Sequence, residues 1–290
     1  MDVPQDPRES ENMYILDAES GAEVVRSIKQ DATVTKAIDS LLPRQVNSAK
    51  ISRVLDIACG PGSWVLDVAY EYSNVQVIGV DISRNLVEYA RTRARSQGLE
   101  NDAIFKVMDV TKPLDFPDES FDVINGRFLI GFMSPGDWPK LLRECMRITR
   151  PGGFIRLTEC DDMGTTSSPA FEQYTEMMYQ ALRMAGRSFA PTGKNFSITP
   201  MLAGFLGAGG YQHVDTIPHV IDFSVGAEAH ISMYENWMAG LELLQPFLVK
   251  MKMASLEELK ELYQQALIEM MSNDFRALWY FLSVVGQRPF

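Results

Sequence analysis

Cysteine is scarce in this 290-residue chain, with Cys59, Cys145 and Cys160 making up the whole supply. An odd number without CxxC spacing suggests neither a disulfide framework nor a zinc site and fits a reducing compartment. Histidine is as rare: only His213, His219 and His230 occur, and with no HExxH or clustered His/Asp arrangement no metal is expected. Basic residues are outnumbered, 27 lysines and arginines against 38 acids, for a net charge of −11. Such a chain repels polyanions and offers no footprint for counterion release on nucleic acid. The nearest thing to a basic patch, Arg84, Arg91, Arg93 and Arg95, has Glu88 among it at helical spacing and reads as a solvated helix face. No run approaches the roughly 18 apolar residues of a membrane span, and the opening MDVPQDPRESENMY has no apolar signal core. Repeats and low-complexity tracts are missing too. These absences leave a cytoplasmic protein with neither nucleic acid nor a membrane span as expected company.

What is present is an ordinary globular balance, 46 % apolar and 22 % charged. From residue 51 to 159 short β-rich runs (ISRVLDI, VQVIGVD, AIFKVMD, FDVIN, GFIRLTE) alternate with amphipathic stretches, the pattern of βαβ units and a mainly parallel sheet. SRNLVEYARTRARSQG reads as a helix with Ser83 as N-cap, Leu86, Val87, Ala90 and Ala94 on one face, and Gly98 as stop. WPKLLRECMRITRPGG reads as another, with Pro139 in its first turn. Residues 160 to 208 look helical, YQHVDTIPHVIDFSV is strand-like with Pro218 arguing for an edge or a bulge, residues 227 to 273 look helical, and RALWYFLSVVGQRP closes as a strand. LLPRQVNSAK reads as a polar linker behind an N-terminal helix, free to dock that helix on its own domain or exchange it with a neighbour in a homo-oligomer.

The stretch VLDIACGPGSW carries the chemistry. In an open parallel sheet ligands sit beyond the carboxyl ends of the strands, where Asp56 and this glycine-rich turn fall. Gly60 and Gly62 let the backbone approach a ligand with no Cβ in the way, beside the free N–H groups of a helix starting near Ser63. The acid ahead of the glycines repels phosphate and suits a cation-bearing ligand. Asp81 ends the next strand, where a carboxylate can accept from both ribose hydroxyls, and Asp109 the one after, where it can accept from adenine N6 beside Met108. Ribose, adenine and a cationic amino-acid tail without phosphate describe S-adenosylmethionine. The plainer readings are that the turn only joins strand to helix, that Asp56 only caps its N–H groups, and that Arg127 pairs with a surface acid.

VLDIACGPGSW, VIGVDIS, VMDVTKPLDFPDESFDVINGRFL and LLRECMRITRPGGFIRLTE, in this order, resemble the motifs of class I S-adenosylmethionine-dependent methyltransferases, in particular the ubiquinone-biosynthesis-like small-molecule group. NMYILDAESGAE ahead of them is similar to bacterial secondary-metabolite methyltransferases, including the type that methylates a prenyl chain in teleocidin biosynthesis. The resemblance implies an α/β fold, a Rossmann-like seven-stranded, mostly parallel sheet with an antiparallel last strand and a helical substrate lid. The segments would be an N-terminal helical cap (1–48), the cofactor core (49–160), helices and a late strand completing core and pocket (161–226), an inserted helical lid (227–273) and the final strand (274–290). It further implies that Gly60 and Gly62 lie against the methionine part, that Asp81 holds the ribose, that Ile82 is a further cofactor contact, that Met108 and Asp109 flank the adenine, and that Asn125, Gly126 and Arg127 meet the methionine tail and the reaction centre. Ala58 stands where the family has its first glycine and should narrow the turn.

Methyl transfer from a sulfonium needs alignment and a dry, shaped site more than protein chemistry. A hydroxyl acceptor would want a base, for which His213 and His219 are candidates, although a structural histidine is the plainer reading of each. Tyr14, from its position in similar enzymes, is expected to cap the cofactor and is a further catalytic candidate. Phe128, Phe171, Tyr174, Met178, Phe196 and Trp237 are expected to line an adaptable apolar substrate pocket, with ordinary core as the alternative. The expected activity is methylation of a small, largely apolar natural product (isoprenoid, indole, quinone or polyketide) at carbon, oxygen or nitrogen, leaving S-adenosylhomocysteine. The rivals are a methyltransferase acting on RNA or protein, and a non-catalytic cofactor-binding partner subunit.

Overall fold

A computed structural model describes residues 20–290. Tyr14 and the first part of the expected cap lie outside the described residues. Helix α1, Gly21–Ile38, starts at Ser20, whose hydroxyl accepts from the Glu23 N–H and so satisfies one of the free donors of the first turn. Beyond it come β1 (Arg53–Ile57), α2 (Ser63–Glu71), β2 (Gln76–Asp81), α3 (Arg84–Gln97), β3 (Ala103–Val107), β4 (Phe121–Arg127), α4 (Trp138–Ile148) and β5 (Thr149–Glu159). The alternation then lapses into β6 (Thr165–Thr166), α5 (Pro169–Met184), α6 (Thr199–Ala208), β7 (Gln212–Asp222), α7 (His230–Lys250), α8 (Leu256–Met270) and β8 (Ala277–Gln287).

The strands form one sheet in the order β3-β2-β1-β4-β5-β8, with β7 on the outer side of β8. β1 to β5 are mutually parallel, and β8 runs antiparallel to β5, β6 and β7. The seven expected strands are therefore present, the last antiparallel, and the two-residue β6 is an eighth. Val54, Leu55 and Ile57 of β1 and Val77, Ile78 and Val80 of β2 are all buried because helices cover both faces of the sheet. α3 follows its local code: the Ser83 hydroxyl accepts from the Leu86 N–H at 3.2 Å, Leu86, Val87, Ala90 and Ala94 are its buried face, and Gly98 ends it in the left-handed region. Pro218 sits on β7, which among the described residues pairs with β8 alone and so is an edge strand, with a register shift between Gln212 and Asp215.

Two findings bear on the cap. The segment expected as a linker is pinned to the core: Arg156 donates to the Ser40 and Leu41 carbonyls at 3.1 and 2.7 Å, Trp64 Nε1 donates to Leu41 O at 3.2 Å, and Leu42 is buried. α1 docks on α7 of its own chain, through a Lys29–Glu235 ion pair and an Arg26 to Asn236 hydrogen bond of 2.9 Å. Among the described residues no helix is long and apolar enough to cross a membrane.

Candidate functional site

The strand order reverses between β1 and β4, which opens a crevice at their carboxyl ends. A row of side chains crosses it in register, Asp56 on β1, Asn125 on β4 and Arg156 on β5. Asn125 Nδ2 donates to Asp56 Oδ1 at 2.7 Å, and Arg156 Nε donates to Asn125 Oδ1 at 2.9 Å. All three are buried. Burial pushes the Asp56 carboxyl up to about 7, with Asp31 adding to the rise and Arg127 and Asn125 opposing it. Burial and the neighbouring Arg127 bring Arg156 down to about 9.

The turn after β1 takes three left-handed residues, Ala58 at φ 54°, Gly60 at 53° and Gly62 at 78°. Alanine in this region carries strain of about 1–2 kcal/mol, held here by the turn's own bonds, Cys59 N–H to Val80 O and Gly62 N–H to Cys59 O. Asp81 fastens the turn from the side: Oδ2 accepts from the Gly60 N–H and Oδ1 from the Ser83 N–H, both at 2.9 Å. Burial nevertheless raises Asp81 above the usual carboxylate range. At Asp109 burial also pushes upward, but the Thr111 hydroxyl at 2.6 Å, the Thr111 N–H at 3.0 Å and Lys112 at 3.1 Å prevail and hold it low.

Around these groups lies a cavity of about 410 Å³. Its wall includes Asp56, Ala58, Gly60, Asp81, Ile82, Met108, Asp109, Arg127 and Phe128, which the sequence separates by as many as 72 positions, from Asp56 to Phe128. α1 supplies the roof with Glu23, Arg26, Ser27, Gln30 and Asp31. Arg127 joins roof to floor, donating to Thr35 Oγ1 at 2.9 Å and to the Asp31 carboxylate. In the roof Arg26 grips Glu23 with two bonds of 2.6 Å.

Other expected site residues are placed elsewhere. Gly62 is off the cavity wall: a Cβ there would meet Phe105 Cε1 at 2.5 Å and Ala90 Cβ at 2.9 Å, so this glycine lets the turn pack on β3 and α3. Asn125 stands behind Asp56 rather than on the wall. His213 is exposed on β7, and His219 stacks on Phe281 at 5.0 Å with Nε2 2.9 Å from Ser283 Oγ; neither reaches the cavity. Phe171, Tyr174, Met178, Phe196 and Trp237 correct the expectation of an aromatic pocket, because all five lie in closed core. Phe171 meets Trp237 edge-on at 5.8 Å, the Tyr174 hydroxyl donates to Leu241 O at 2.6 Å, and Phe196 packs on Tyr179 at 5.3 Å, so the apolar face of α5 is spent on α7, α8 and the neighbouring loop.

Some of the site was not read from the sequence. The roof residues Glu23, Arg26, Ser27, Gln30 and Asp31 recur at helical spacing, the one signal that could have found them. Glu159, at the end of β5, is fully buried and accepts from the Leu129 N–H at 2.6 Å and the Ile130 N–H at 3.4 Å, while burial lifts it to about 8. It thereby holds the turn that carries Phe128 and Phe132 to the wall. Phe128 itself is left-handed at φ 55°, fixed by its N–H to Thr158 O at 2.9 Å and by stacking on Trp279 at 5.5 Å.

Residues 54–153 match a family described as a methyltransferase domain. A protein described as the probable methyltransferase ltbC of Aspergillus luteorubrus is 32 % identical over 111 residues, 37 % of this chain and 39 % of that one. The demethylmenaquinone methyltransferase of Geobacillus kaustophilus is 30 % identical over 137 residues, 47 % of this chain and 54 % of its own length. The chain thus spans about half the length of these curated relatives. Among solved structures, phosphoethanolamine N-methyltransferase 2 of Haemonchus contortus, held with phosphomonomethylethanolamine and S-adenosylhomocysteine, superposes with a TM-score of 0.54 at 17 % identity, over 94 % of this chain and 58 % of that one, a likeness of fold. Residues 54–153 are thus similar to a methyltransferase domain, with the four motifs in order along β1 to β5 and their acids gathered at one cavity.

Proposed function

We propose that this chain transfers a methyl group from S-adenosylmethionine to a small molecule and releases S-adenosylhomocysteine. The observation that carries the reading is the convergence of Asp56, Gly60, Asp81, Met108 and Asp109 on one cavity of about 410 Å³. That volume lies in the range of roughly 300–1,000 Å³ typical of small-molecule sites. The residues fit the cofactor: beyond its chain neighbours, a Cβ on Gly60 would meet none of the described residues within 4 Å, so bare backbone borders open space there. Asp81 keeps lone pairs for two ribose hydroxyls while it fastens the turn. Ile82, Leu86 and Met108 offer apolar surface for the adenine, and Asp109 an acceptor for its amine. When bound, the cofactor supplies an electrophilic methyl on a sulfonium. The chain then has to align an acceptor with it and keep water out, which the α1 roof and the Arg127 tie between roof and floor support.

Phe128 and Phe132 give the cavity an aromatic end. With no histidine on the wall, this supports a small natural product whose apolar part, a ring or an alkene, rests there. Electron-rich carbon, which needs no prior deprotonation, stands beside oxygen and nitrogen as acceptor, and the two rings can steady a developing cation. The net charge of −11 and the roofed cavity favour this over RNA or protein substrates. Calorimetric titration with S-adenosylmethionine and S-adenosylhomocysteine, on wild type and Asp81→Ala, tests the core of the proposal. Micromolar binding that the variant loses supports it, and absence of binding to the intact protein overturns it.

A further inference from the structure

The amino-acid end of the cavity is short of positive charge. Asp31 on α1 and Asp56 on β1 both stand on its wall, and the guanidinium beside them there is that of Arg127. The other cations nearby are engaged. Arg156 lies behind Asn125 and gives its donors to Asn125, Ser40 and Leu41. Arg93 donates to Pro61 O and Ser63 Oγ, Arg26 is bound to Glu23, and Lys112 to Asp109. One oxygen of Asp31 accepts from Arg127, while Oδ2 is buried without a hydrogen-bond partner. A buried carboxylate oxygen without a donor is costly, so the structure retains an acceptor that nothing in the described chain uses. Burial holds both Asp31 and Asp56 above the usual carboxylate range, although Arg127 acts to lower each.

We propose that Asp31 is a cofactor-binding residue supplied by the roof, its carboxylate accepting a charge-assisted hydrogen bond from the α-ammonium of the cofactor's amino-acid tail. The inference rests on the S-adenosylmethionine reading of the cavity and deepens it. Asp56, on the opposite wall, adds a second negative charge for the ammonium. Arg127 has five donors, of which Thr35 and Asp31 take two, and its remaining donors suit the tail's carboxylate. The cofactor site is then incomplete without α1, and ligands that differ only in the tail are distinguished by a residue of the roof.

The test pairs two ligands with two variants. S-adenosylhomocysteine carries the amino-acid tail, whereas 5′-methylthioadenosine keeps adenine, ribose and sulfur without it. Calorimetry should show Asp31→Asn binding S-adenosylhomocysteine about tenfold or more weakly than wild type, with 5′-methylthioadenosine changed less than about twofold. Thr35→Val, which removes the other anchor of Arg127 on α1, should change neither ligand by more than about twofold. Equal weakening of both ligands by Asp31→Asn, no weakening of either, or a loss in Thr35→Val as large as in Asp31→Asn would overturn the proposal while leaving the cofactor reading intact. Failure of wild type to bind either ligand would overturn both. Thermal unfolding without ligand checks that each variant folds. If Asp31→Asn does not fold, wild type is titrated with desamino-S-adenosylhomocysteine: tenfold weaker binding than the parent supports the ammonium contact, and equal affinity refutes it.

Discussion

Gly60 and Gly62 stand two residues apart in one turn, with φ of 53° and 78°, and alanine at the two positions is expected to separate binding from stability. At either site a side chain in the left-handed region costs about 1–2 kcal/mol, and the stiffer unfolded chain returns about 0.4–1 kcal/mol. At Gly60 the new Cβ meets none of the described residues within 4 Å beyond its chain neighbours, so the net loss should be about 1 kcal/mol. At Gly62 it would lie 2.5 and 2.7 Å from the Phe105 ring and 2.9 Å from Ala90 Cβ. Phe105 and Ala90 are buried between β3 and α3 and have nowhere to retreat, so overpacking adds about 1–3 kcal/mol for a total near 3. Melting without ligand should fall by roughly 2–4 °C for Gly60→Ala and roughly 6–10 °C for Gly62→Ala. Calorimetry should show the reverse ranking: Gly60→Ala, whose methyl stands on the cavity wall, should bind S-adenosylhomocysteine at least ~10-fold more weakly, whereas folded Gly62→Ala should stay within about threefold of wild type. Equal destabilisation by the two variants, or wild-type affinity in Gly60→Ala, would refute the division of labour between the glycines.

Two further outcomes follow from the buried acids. Burial raises Asp56 from 3.8 to about 7 on folding, so across that interval the native state keeps a proton that the unfolded chain has lost. This contribution to stability is full below the unfolded value and is lost as pH rises through the native one. The stability of wild type relative to Asp56→Asn, measured by urea unfolding, should therefore fall between pH 4 and 7 by about 1 kcal/mol per unit at its steepest, and a flat difference would contradict the assignment. Glu159→Ala should cost about 3 kcal/mol in thermal unfolding, since it strips the acceptor from the buried N–H groups of Leu129 and Ile130, whereas Glu159→Gln keeps an acceptor and should recover most of the loss. Equal loss in the two variants would show that the acceptor is not what matters.

The strand-end acids were legible in the sequence because a parallel sheet fixes where they go. β1, β2 and β3 are neighbours running the same way, so residues at or just past their carboxyl ends, Asp56, Asp81 and Asp109, share one edge whatever the helices do. Ser83 and Gly98 were legible for a more local reason, since cap chemistry acts within one turn of helix. The aromatic stripe of α5 was legible only as a stripe. Periodicity says that Phe171, Tyr174 and Met178 face one way and does not say whether that side is filled or hollow, and here Trp237 and Leu241 of α7 fill it. Gly60 and Gly62 were likewise indistinguishable, because glycine signals both close approach to a ligand and close approach of two elements. Phe105, brought in from 43 positions further along than Gly62, and Ala90 decide between them.

The roof was the least legible part, and the reason is physical. An apolar pocket is expected around an apolar substrate, yet the face that α1 turns to the cavity is Glu23, Arg26, Gln30 and Asp31, with the exposures of Glu23 and Arg26 only 4 % and 8 %. Burying an ion pair costs desolvation that its mutual attraction does little more than offset, so an apolar pair of similar volume would hold α1 on α7 at least as well. Stability alone therefore gives no reason for charges beneath the roof. A ligand with separated charges does, because the guanidinium and carboxylates are already oriented when it arrives and need not be reorganised out of water. On the proposed reading, the substrate's apolar part rests at the Phe128 and Phe132 end, and the charged roof serves the polar tail of the cofactor.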